Sequence, residues 1–153
     1  MKQIRRIPVT KEGFEKLKND IIELKKSRPE AVRILSEARA MGDLSENGLY
    51  TAAKAKLRSI DSQMFRLEIQ IKLADIIESG GIGIVTIDSK VKVSDGNIEK
   101  TFHIVGDYEA NPIENKISQH SPLGRALIGK RVGETAKFYA PKGLISYKII
   151  SIT

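Results

Sequence analysis

Two stretches of the chain place apolar or small residues at alternating spacings of three and four, a pattern typical of helices packed along one seam. The first stretch consists of Phe14, Leu17, Ile21, Leu24, Arg28, Ala31, Leu35 and Ala38. The second consists of Tyr50, Ala53, Leu57, Ile60, Met64, Leu67, Ile71 and Ala74. Read in reverse, the second stretch matches the first position by position about residue 44. The pattern therefore predicts an antiparallel coiled-coil hairpin of two helices, each of about 30 residues.

Pro29 interrupts the first of these stretches. A proline inside a helix lacks the N–H group of the helical ladder, whereas in the first turn it is well tolerated. We therefore expect either a kink in the first helix at Pro29 or a new helix that begins there.

The pattern changes at residues 79–81, Ser-Gly-Gly, where strand-like alternation replaces the helical spacing. We predict a domain boundary there, with a helical hairpin over residues 1–78 and a second domain over residues 79–153. Residues 90–93 and 98–105 flank an Asp-Gly turn and predict a β-hairpin. Residues 135–140 and 144–152 flank a Pro-Lys-Gly turn and predict another.

Between these hairpins, Ser121, Pro122 and Gly129 have the order of a helix cap, a first-turn proline and a terminating glycine. We expect a helix of about two turns over residues 123–128. The predicted fold class is thus α+β: an N-terminal antiparallel α-helical hairpin followed by a small antiparallel β-sheet domain with one short helix.

Composition narrows the class of protein. The chain has 153 residues, 41% of them hydrophobic, which excludes a disordered or fibrous protein. No apolar run is long enough to cross a membrane, and the basic start lacks the hydrophobic stretch of a secretion signal. We therefore expect a cytoplasmic protein with no membrane partner. The absence of cysteine excludes disulfides and thiolate metal sites.

The chain is basic, with a net charge of +7 and a pI near 9.6, which indicates an anionic partner such as nucleic acid. Residues 25–58 carry twice as many basic as acidic side chains, whereas the remainder of residues 1–78 is balanced. We predict that five basic residues face nucleic acid: Arg33, Arg39, Lys54, Lys56 and Arg58. The alternative is an ordinary solvated helix surface.

Residues 40–53 contain no lysine or arginine and only two charges, Asp43 and Glu46, at the turn of the predicted hairpin. Their spacing is that of a capping box at the start of the second helix. Alternatively, they bind a cation. Two carboxylates are too few for the octahedral oxygen shell of Mg²⁺, so another molecule would have to supply most of the ligands. In that case the chain donates ligands and is not an enzyme, and the free protein binds no cofactor tightly.

Other candidate chemistry has simpler explanations. His103 and His120 each lack a second histidine at metal-ligand spacing, which favours structural or surface roles. Ser121 beside His120 suggests a nucleophile and base, but a helix cap explains this serine better. No helix directly follows the glycines at 80, 81 and 83, so they do not form a phosphate-binding loop. We expect no small-molecule substrate.

Residues 37–47 (EARAMGDLSEN), together with Tyr50, resemble the tip of the bacterial Gre transcript cleavage factors. Residues 104–107 (IVGD), 117–118 (IS) and 121–130 (SPLGRALIGK) resemble the second domain of that family. The resemblance covers nearly the whole chain. It departs from the family at Met41 and at Gly48-Leu49, where many relatives have other residues.

The resemblance implies an FKBP-like C-terminal domain that docks on RNA polymerase and a coiled coil that enters the secondary channel. It implies that Asp43 and Glu46 bind the second catalytic magnesium jointly with the polymerase and help to orient the water that attacks backtracked RNA. The polymerase remains the enzyme, and nascent RNA and DNA are further partners. The residues matched to part of the docking surface are Ser121, Pro122, Leu123, Gly124 and Arg125.

The expected function is therefore that of a transcription elongation factor that rescues arrested polymerase by stimulating transcript cleavage. Three alternatives remain. An inhibitor of the same architecture would plug the channel without promoting cleavage. A peptidyl-prolyl isomerase or chaperone is suggested by the FKBP-like domain, although the chain has no tryptophan. A general nucleic-acid-binding coiled coil would bind DNA without polymerase.

Overall fold

The computed structural model describes residues 5–42, 47–77 and 83–153. They fall into two compact units. One contains Phe14–Ala74, and the other combines Arg6–Gly13 with Asp75–Thr153. The boundary predicted between residues 78 and 79 lies in the stretch 78–82, outside the described residues.

The first unit is a helical hairpin formed by α1 (Lys11–Ala40) and α2 (Gly48–Leu73). Every predicted seam residue except Arg28 is buried or half-buried. The most deeply buried are Ile21, Ala31, Ala38, Ala53 and Ile60. The alternating spacing therefore identified the packed face of both helices, and the predicted hairpin is confirmed. Residue 44, the centre of the predicted symmetry, lies outside the described residues.

Arg28 occupies a seam position but is exposed. Its Nε lies 2.7 Å from Asp61 Oδ1 on α2, and its Nη2 lies 3.3 Å from Asp61 Oδ2. Such a two-point contact suits the planar guanidinium group. At this level of the hairpin, an ion pair between the helices therefore takes the place of an apolar contact.

The helix α1 continues without a break through Pro29. The expectation that a new helix begins at this proline is therefore wrong. Proline cannot donate the helical hydrogen bond to the carbonyl four residues earlier. Two residues before Pro29, the hydroxyl of Ser27 donates a hydrogen bond to the carbonyl oxygen of Leu24 over 2.9 Å.

The second unit contains a two-stranded sheet, β1 (Ile7–Val9) with β2 (Ala74–Ile76), and a five-stranded sheet. The larger sheet has the order β5-β4-β3-β7-β6. Its strands are β3 (Lys90–Ser94), β4 (Glu99–Val105), β5 (Lys116–Ser118), β6 (Thr135–Ala140) and β7 (Gly143–Ile152). Both predicted hairpins are present, β3 with β4 and β6 with β7.

One edge of the sheet differs from the prediction. The strand β5 pairs with β4 in parallel, so the sheet is mixed rather than purely antiparallel. Two short 3₁₀ turns, Asp107–Glu109 and Pro112–Glu114, lie between these strands. They let the chain reverse and return in the direction of β4, a connection that no two-residue turn can make.

The core of this unit lies between the sheet and the predicted short helix, α3 (Pro122–Leu127), whose Leu127 is completely buried. The buried cluster consists of Val85, Val91, Val93, Phe102, Ile104, Leu127, Ala136, Tyr147 and Ile149. The predicted α+β fold class is thus confirmed.

Residues 6–13 pack into this second unit through contacts that spacing in the sequence does not reveal. The carboxylate of Glu109 accepts a hydrogen bond from the backbone N–H of Thr10 over 3.0 Å. The Thr10 hydroxyl in turn accepts from the N–H of Gly13, as a cap at the start of α1 does. At Gly106, a β-carbon would lie 2.3 Å from the carbonyl oxygen of Pro8, so only glycine allows the two backbones this approach.

Candidate functional site

The described residues on both sides of the predicted acidic tip are held close together. On the α1 side, Gly42 has a φ of 113°, in the region that favours glycine. On the α2 side, Asn47 Oδ1 accepts a hydrogen bond from the N–H of Tyr50 over 3.1 Å. The amide nitrogen of the same side chain donates to the carbonyl oxygen of Ala38 over 2.8 Å. One side chain therefore ties the end of α1 to the start of α2.

Asp43 and Glu46 lie within residues 43–46, outside the described residues. Their roles as metal ligands and as acids lent to a partner's catalytic site stay predictions. The alternative explanation by a capping box does not match the start of α2, because this helix begins at Gly48 and its cap is Asn47. Asn47 was not among the predicted site residues, although an asparagine just before a helix is a recognised capping signal.

All five predicted nucleic-acid-facing residues are exposed, but one of them already has acidic partners. The guanidinium group of Arg33 lies 2.6 to 2.8 Å from the carboxylate oxygens of Glu30 and also contacts Glu37. The hydrogen bond to Glu30 and the charges of both glutamates raise the pKa of Arg33 further above its ordinary value. The local positive charge of Arg33 is therefore largely compensated. Glu30 is three residues before Arg33 and Glu37 is four residues after it, and residues at these spacings are neighbours on a helix surface. Both ion pairs could therefore have been predicted from the sequence.

Arg39 and Lys54 share one flank of the hairpin. Each directly follows a buried seam residue, Ala38 or Ala53, and therefore projects to the same side of its helix. The guanidinium carbon of Arg39 lies 6.0 Å from the centre of the Tyr50 ring, within the range of a weak cation–π contact. We call Arg39 and Lys54 the basic flank.

Arg58 is exposed further along α2, whereas Lys56 lies on the opposite side of the hairpin from the basic flank, beside an apolar groove. Within residues 5–42, 47–77 and 83–153, Lys54, Lys56 and Arg58 form no ion pair. The predicted set therefore does not form one continuous surface.

The five predicted docking residues divide into two groups. Ser121 caps α3: its hydroxyl donates to the carbonyl of Ser118 over 2.7 Å and accepts from the N–H of Gly124 over 3.0 Å. Gly124 packs on the same carbonyl, where a β-carbon would lie only 2.0 Å from the oxygen. Leu123 packs against the core, whereas Pro122 and Arg125 are exposed. Three residues thus cap α3 or pack it against the core, and two are presented on its surface; docking itself stays a prediction.

Both histidines contact carboxylates. His103 Nε2 lies 2.7 Å from Asp88 Oδ1, and His120 Nδ1 lies 2.8 Å from Asp107 Oδ2. Asp107 also accepts a hydrogen bond from the hydroxyl of Ser118, which is the main cause of a lowered Asp107 pKa, with a further contribution from His120. In the part of the chain that the structure describes, no three potential metal ligands of the His, Cys, Asp and Glu types cluster together. None of its helices is long and apolar enough to span a bilayer.

Similarity to known proteins identifies the family to which this chain belongs. The family model described as the N-terminal domain of transcription elongation factors matches residues 7–76. The model of the C-terminal domain of the transcription elongation factors GreA and GreB matches residues 80–153. The chain therefore belongs to the GreA/GreB family of transcription elongation factors, as the resemblance of its motifs indicated.

Relatives match along almost their whole length. The chain is 44% identical to transcription elongation factor GreA of Thermodesulfovibrio yellowstonii, covering 97% of each protein. It is 42% identical to GreA of Thermosipho africanus, covering 95% of this chain and 96% of that protein. Among solved structures, GreA factor homolog 1 (Gfh1) of Thermus thermophilus is 30% identical, with 97% of this chain and 99% of that chain covered and a TM-score of 0.46.

Proposed function

We propose that this protein is a cytoplasmic accessory factor of bacterial RNA polymerase that stimulates the polymerase's own cleavage of backtracked nascent RNA and is not itself an enzyme. Membership of the GreA/GreB family supports the proposal most directly. The hairpin adds a physical reason. Its two helices pack along a continuous seam, and Asn47 ties their ends together on either side of residues 43–46. A slender, stiff element of this kind can carry two acids into a narrow channel.

Asp43 and Glu46 are the residues that we propose to act at the polymerase active centre. Carboxylate oxygens are ligands that Mg²⁺ prefers, but two carboxylates leave most of its octahedral shell to be filled by other groups. The pair therefore binds magnesium jointly with the polymerase and orients a water molecule toward the scissile phosphate. A magnesium ion held there favours deprotonation of the attacking water and stabilises the leaving oxygen.

The basic flank, together with Arg58, supports contact with RNA or DNA phosphates in the elongation complex. Arg39 and Lys54 are both exposed, and they project to the same side of the hairpin, which suits contact with an extended anion. Arg33, with Glu30 and Glu37 around it, contributes less. For docking, we propose that Pro122 and Arg125 contact the polymerase, while Ser121, Leu123 and Gly124 hold α3 in place.

The test is cleavage of nascent RNA in stalled elongation complexes with saturating factor. Asp43→Asn and Glu46→Gln should each reduce the cleavage rate by at least about a hundredfold, because each removes a charged ligand of the ion that the chemistry needs. Binding to polymerase should change little, because the proposed docking residues are elsewhere. Asp20→Asn, an exposed acid of the same hairpin far from residues 43–46 in sequence, is the matched control and should cleave normally.

Unchanged cleavage with both tip variants would refute the role of the two acids. Inhibition of nucleotide addition by the wild-type factor, with no cleavage at any concentration, would instead identify the protein as an inhibitor that plugs the channel.

A further inference from the structure

Three large apolar side chains near the end of the hairpin are exposed to solvent. Met41 is 68% exposed, Leu49 is 64% exposed and Ile34 is 44% exposed. Single exposed apolar residues need no explanation, whereas a contiguous apolar patch is a feature of interaction surfaces and of ligand-binding grooves. These three residues come from both helices and from the turn that follows α1, so their proximity is a property of the folded hairpin.

The three side chains line one groove of about 300 Å³, which is also lined by Ala38, Ala52 and Ala53. Because alanines lack long side chains, they let a partner approach the helix backbones. A closed apolar cavity of about 150 Å³ holds a benzene ring. The groove therefore has room for a large aliphatic or aromatic side chain. We call it the tip groove.

The tip groove and the basic flank lie on opposite sides of the hairpin seam. Ile34 and Met41 are seven residues apart, two turns of helix, and project to one side of Ala38, whereas Arg39 projects to the other. The end of the hairpin therefore has one side suited to phosphates and one suited to an apolar surface. A partner that offers phosphates on one side and an apolar surface on the other would match the hairpin in only one rotation about its long axis.

Charge at the rim of the groove identifies what fits it. Glu37 lies on the α1 side and is already paired with Arg33. Lys56 lies on the α2 side and has no acidic partner among the described residues. The complementary surface is therefore an apolar side chain with a carboxylate beside it.

We infer that the tip groove receives an apolar side chain of the polymerase that has a carboxylate next to it, and that this contact fixes the rotation of the hairpin as residues 43–46 reach the active centre. The inference rests on the proposed function. In the sequence, Met41 and Leu49 flank the segment from Gly42 to Gly48, which contains Asp43 and Glu46. Three side chains supply far less than the roughly 800 Å² per partner of a stable interface, which fits one part of a larger contact better than a dimer of this chain.

The experiment titrates full-length factor into stalled elongation complexes and measures separately the half-maximal concentration and the cleavage rate at saturation. Leu49→Gln removes the apolar contact without adding charge, and Leu49→Glu also opposes the partner's carboxylate. Phe65→Glu is the matched control, because Phe65 is on the same helix and is equally exposed, at 64%. Leu49 is in the first turn of α2, where a glutamate is favourable to the helix. Both Leu49 variants should therefore fold.

We expect Leu49→Glu to raise the half-maximal concentration about tenfold, as one lost contact at an interface commonly does. Leu49→Gln should raise it by a smaller factor, and Phe65→Glu should leave it unchanged. The rate at saturation should stay within about twofold of wild type, since the contact contributes to binding rather than to the chemical step. This separates the inference from the proposed function, in which Asp43→Asn lowers the rate and spares binding.

Equal half-maximal concentrations for Leu49→Glu and Phe65→Glu would overturn the inference, and so would a change in the saturated rate alone. Sedimentation equilibrium of the free protein tests whether a second copy of the chain occupies the groove instead. A dimer that Leu49→Glu dissociates would assign the groove to a second copy of the chain and would likewise overturn the inference. A monomeric wild type, together with a weakened Leu49→Glu, supports it. Direct binding of labelled factor to polymerase gives the same comparison even if cleavage is absent.

Discussion

The side-chain amide of Asn47 donates a hydrogen bond to the backbone carbonyl of Ala38 across the end of the hairpin, with 2.8 Å between nitrogen and oxygen. The other end of the same amide caps α2 by accepting from the N–H of Tyr50. A single residue thus determines where α2 begins and how far it lies from the end of α1. The segment 43–46, which contains the two proposed catalytic acids, lies between Ala38 and Asn47 in the sequence.

Asn47→Ala should lower the free energy of unfolding of the hairpin by about 1 to 3 kcal/mol. The variant loses a helix cap, which contributes about 1 kcal/mol, and a partly buried hydrogen bond of similar size. Urea denaturation followed by circular dichroism measures the change. Asn47→Asp keeps the acceptor for Tyr50 but has no donor for Ala38, so it should lose about half as much stability. Equal stability of both variants and the wild type would show that the cross-hairpin bond contributes nothing.

The compensated charge of Arg33 leads to a prediction about nucleic acid. Binding to single-stranded RNA should weaken with salt, and each lysine or arginine that contacts a phosphate adds about 0.7 to the slope of log K against log salt concentration. Lys54→Gln and Arg39→Gln should each lower the slope by about that amount. Arg33→Gln should change it much less, because Glu30 and Glu37 already neutralise this side chain. Fluorescence anisotropy at several salt concentrations distinguishes the three variants, and an equal loss in all of them would contradict the prediction.

The ion pair between the helices predicts a dependence of stability on pH. The hydrogen bond from Arg28 lowers the pKa of Asp61 below its usual range. Because the folded-state pKa is the lower one, the pair contributes stability above the ordinary aspartate pKa of about 4 and loses it as the pH falls through the folded-state value. The difference in Tm between the wild type and Arg28→Gln should therefore be present at neutral pH and shrink in acid.

A nuclear magnetic resonance titration of the Asp61 carboxyl group tests the same pair directly. Its midpoint should lie below the usual range in the wild type and return toward that range in Arg28→Gln. Lys72→Gln removes a charge from the same helix, but Lys72 is eleven residues and about three turns away from Asp61, so the midpoint should stay in place. A midpoint that Arg28→Gln leaves unchanged would show that the pair does not form in solution.

The capped helix α3 allows structural and docking roles to be separated. Ser121→Ala removes the cap of α3 and should lower the free energy of unfolding of the second unit by about 1 kcal/mol. Arg125→Ala changes an exposed side chain and should cost less than about 0.5 kcal/mol, while weakening binding to polymerase. Thermal unfolding and a polymerase-binding assay on both variants test the division. Normal binding by Arg125→Ala would remove this residue from the proposed docking surface.

Much of the fold could be predicted because it depends on local periodicity. The seam of the hairpin follows from the three-four spacing alone, and its residues are buried as expected, apart from Arg28. The turns at Asp95-Gly96 and at residues 141–143 set the two β-hairpins, because strands joined by short turns pair with each other. The cap Ser121 was likewise predictable from a serine followed by proline.

Two other features, the cap of α2 and the ion pairs of Arg33, have local signals in the sequence but differ from the predictions. The capping-box alternative begins α2 near Asp43, whereas Asn47 is the cap. The pairing of Arg33 with Glu30 and Glu37 follows from helical spacing, yet Arg33 was grouped with the basic residues available for nucleic acid. For Arg33 the local contacts prevailed over the wider charge pattern, because neighbours at spacings of three and four on the same helix are within reach.

By itself, the sequence determined which faces of the helices pack, which strands pair through tight turns, and where the isolated acids fall along the chain. All of these depend on residues close in sequence or on a repeat that extends over whole helices. Only the tertiary structure decided that β5 pairs in parallel with β4, that Thr10 contacts Glu109, and that Ile34, Met41 and Leu49 share one groove. These contacts join segments far apart along the chain, and their geometry depends on how the intervening backbone folds, which no local pattern encodes.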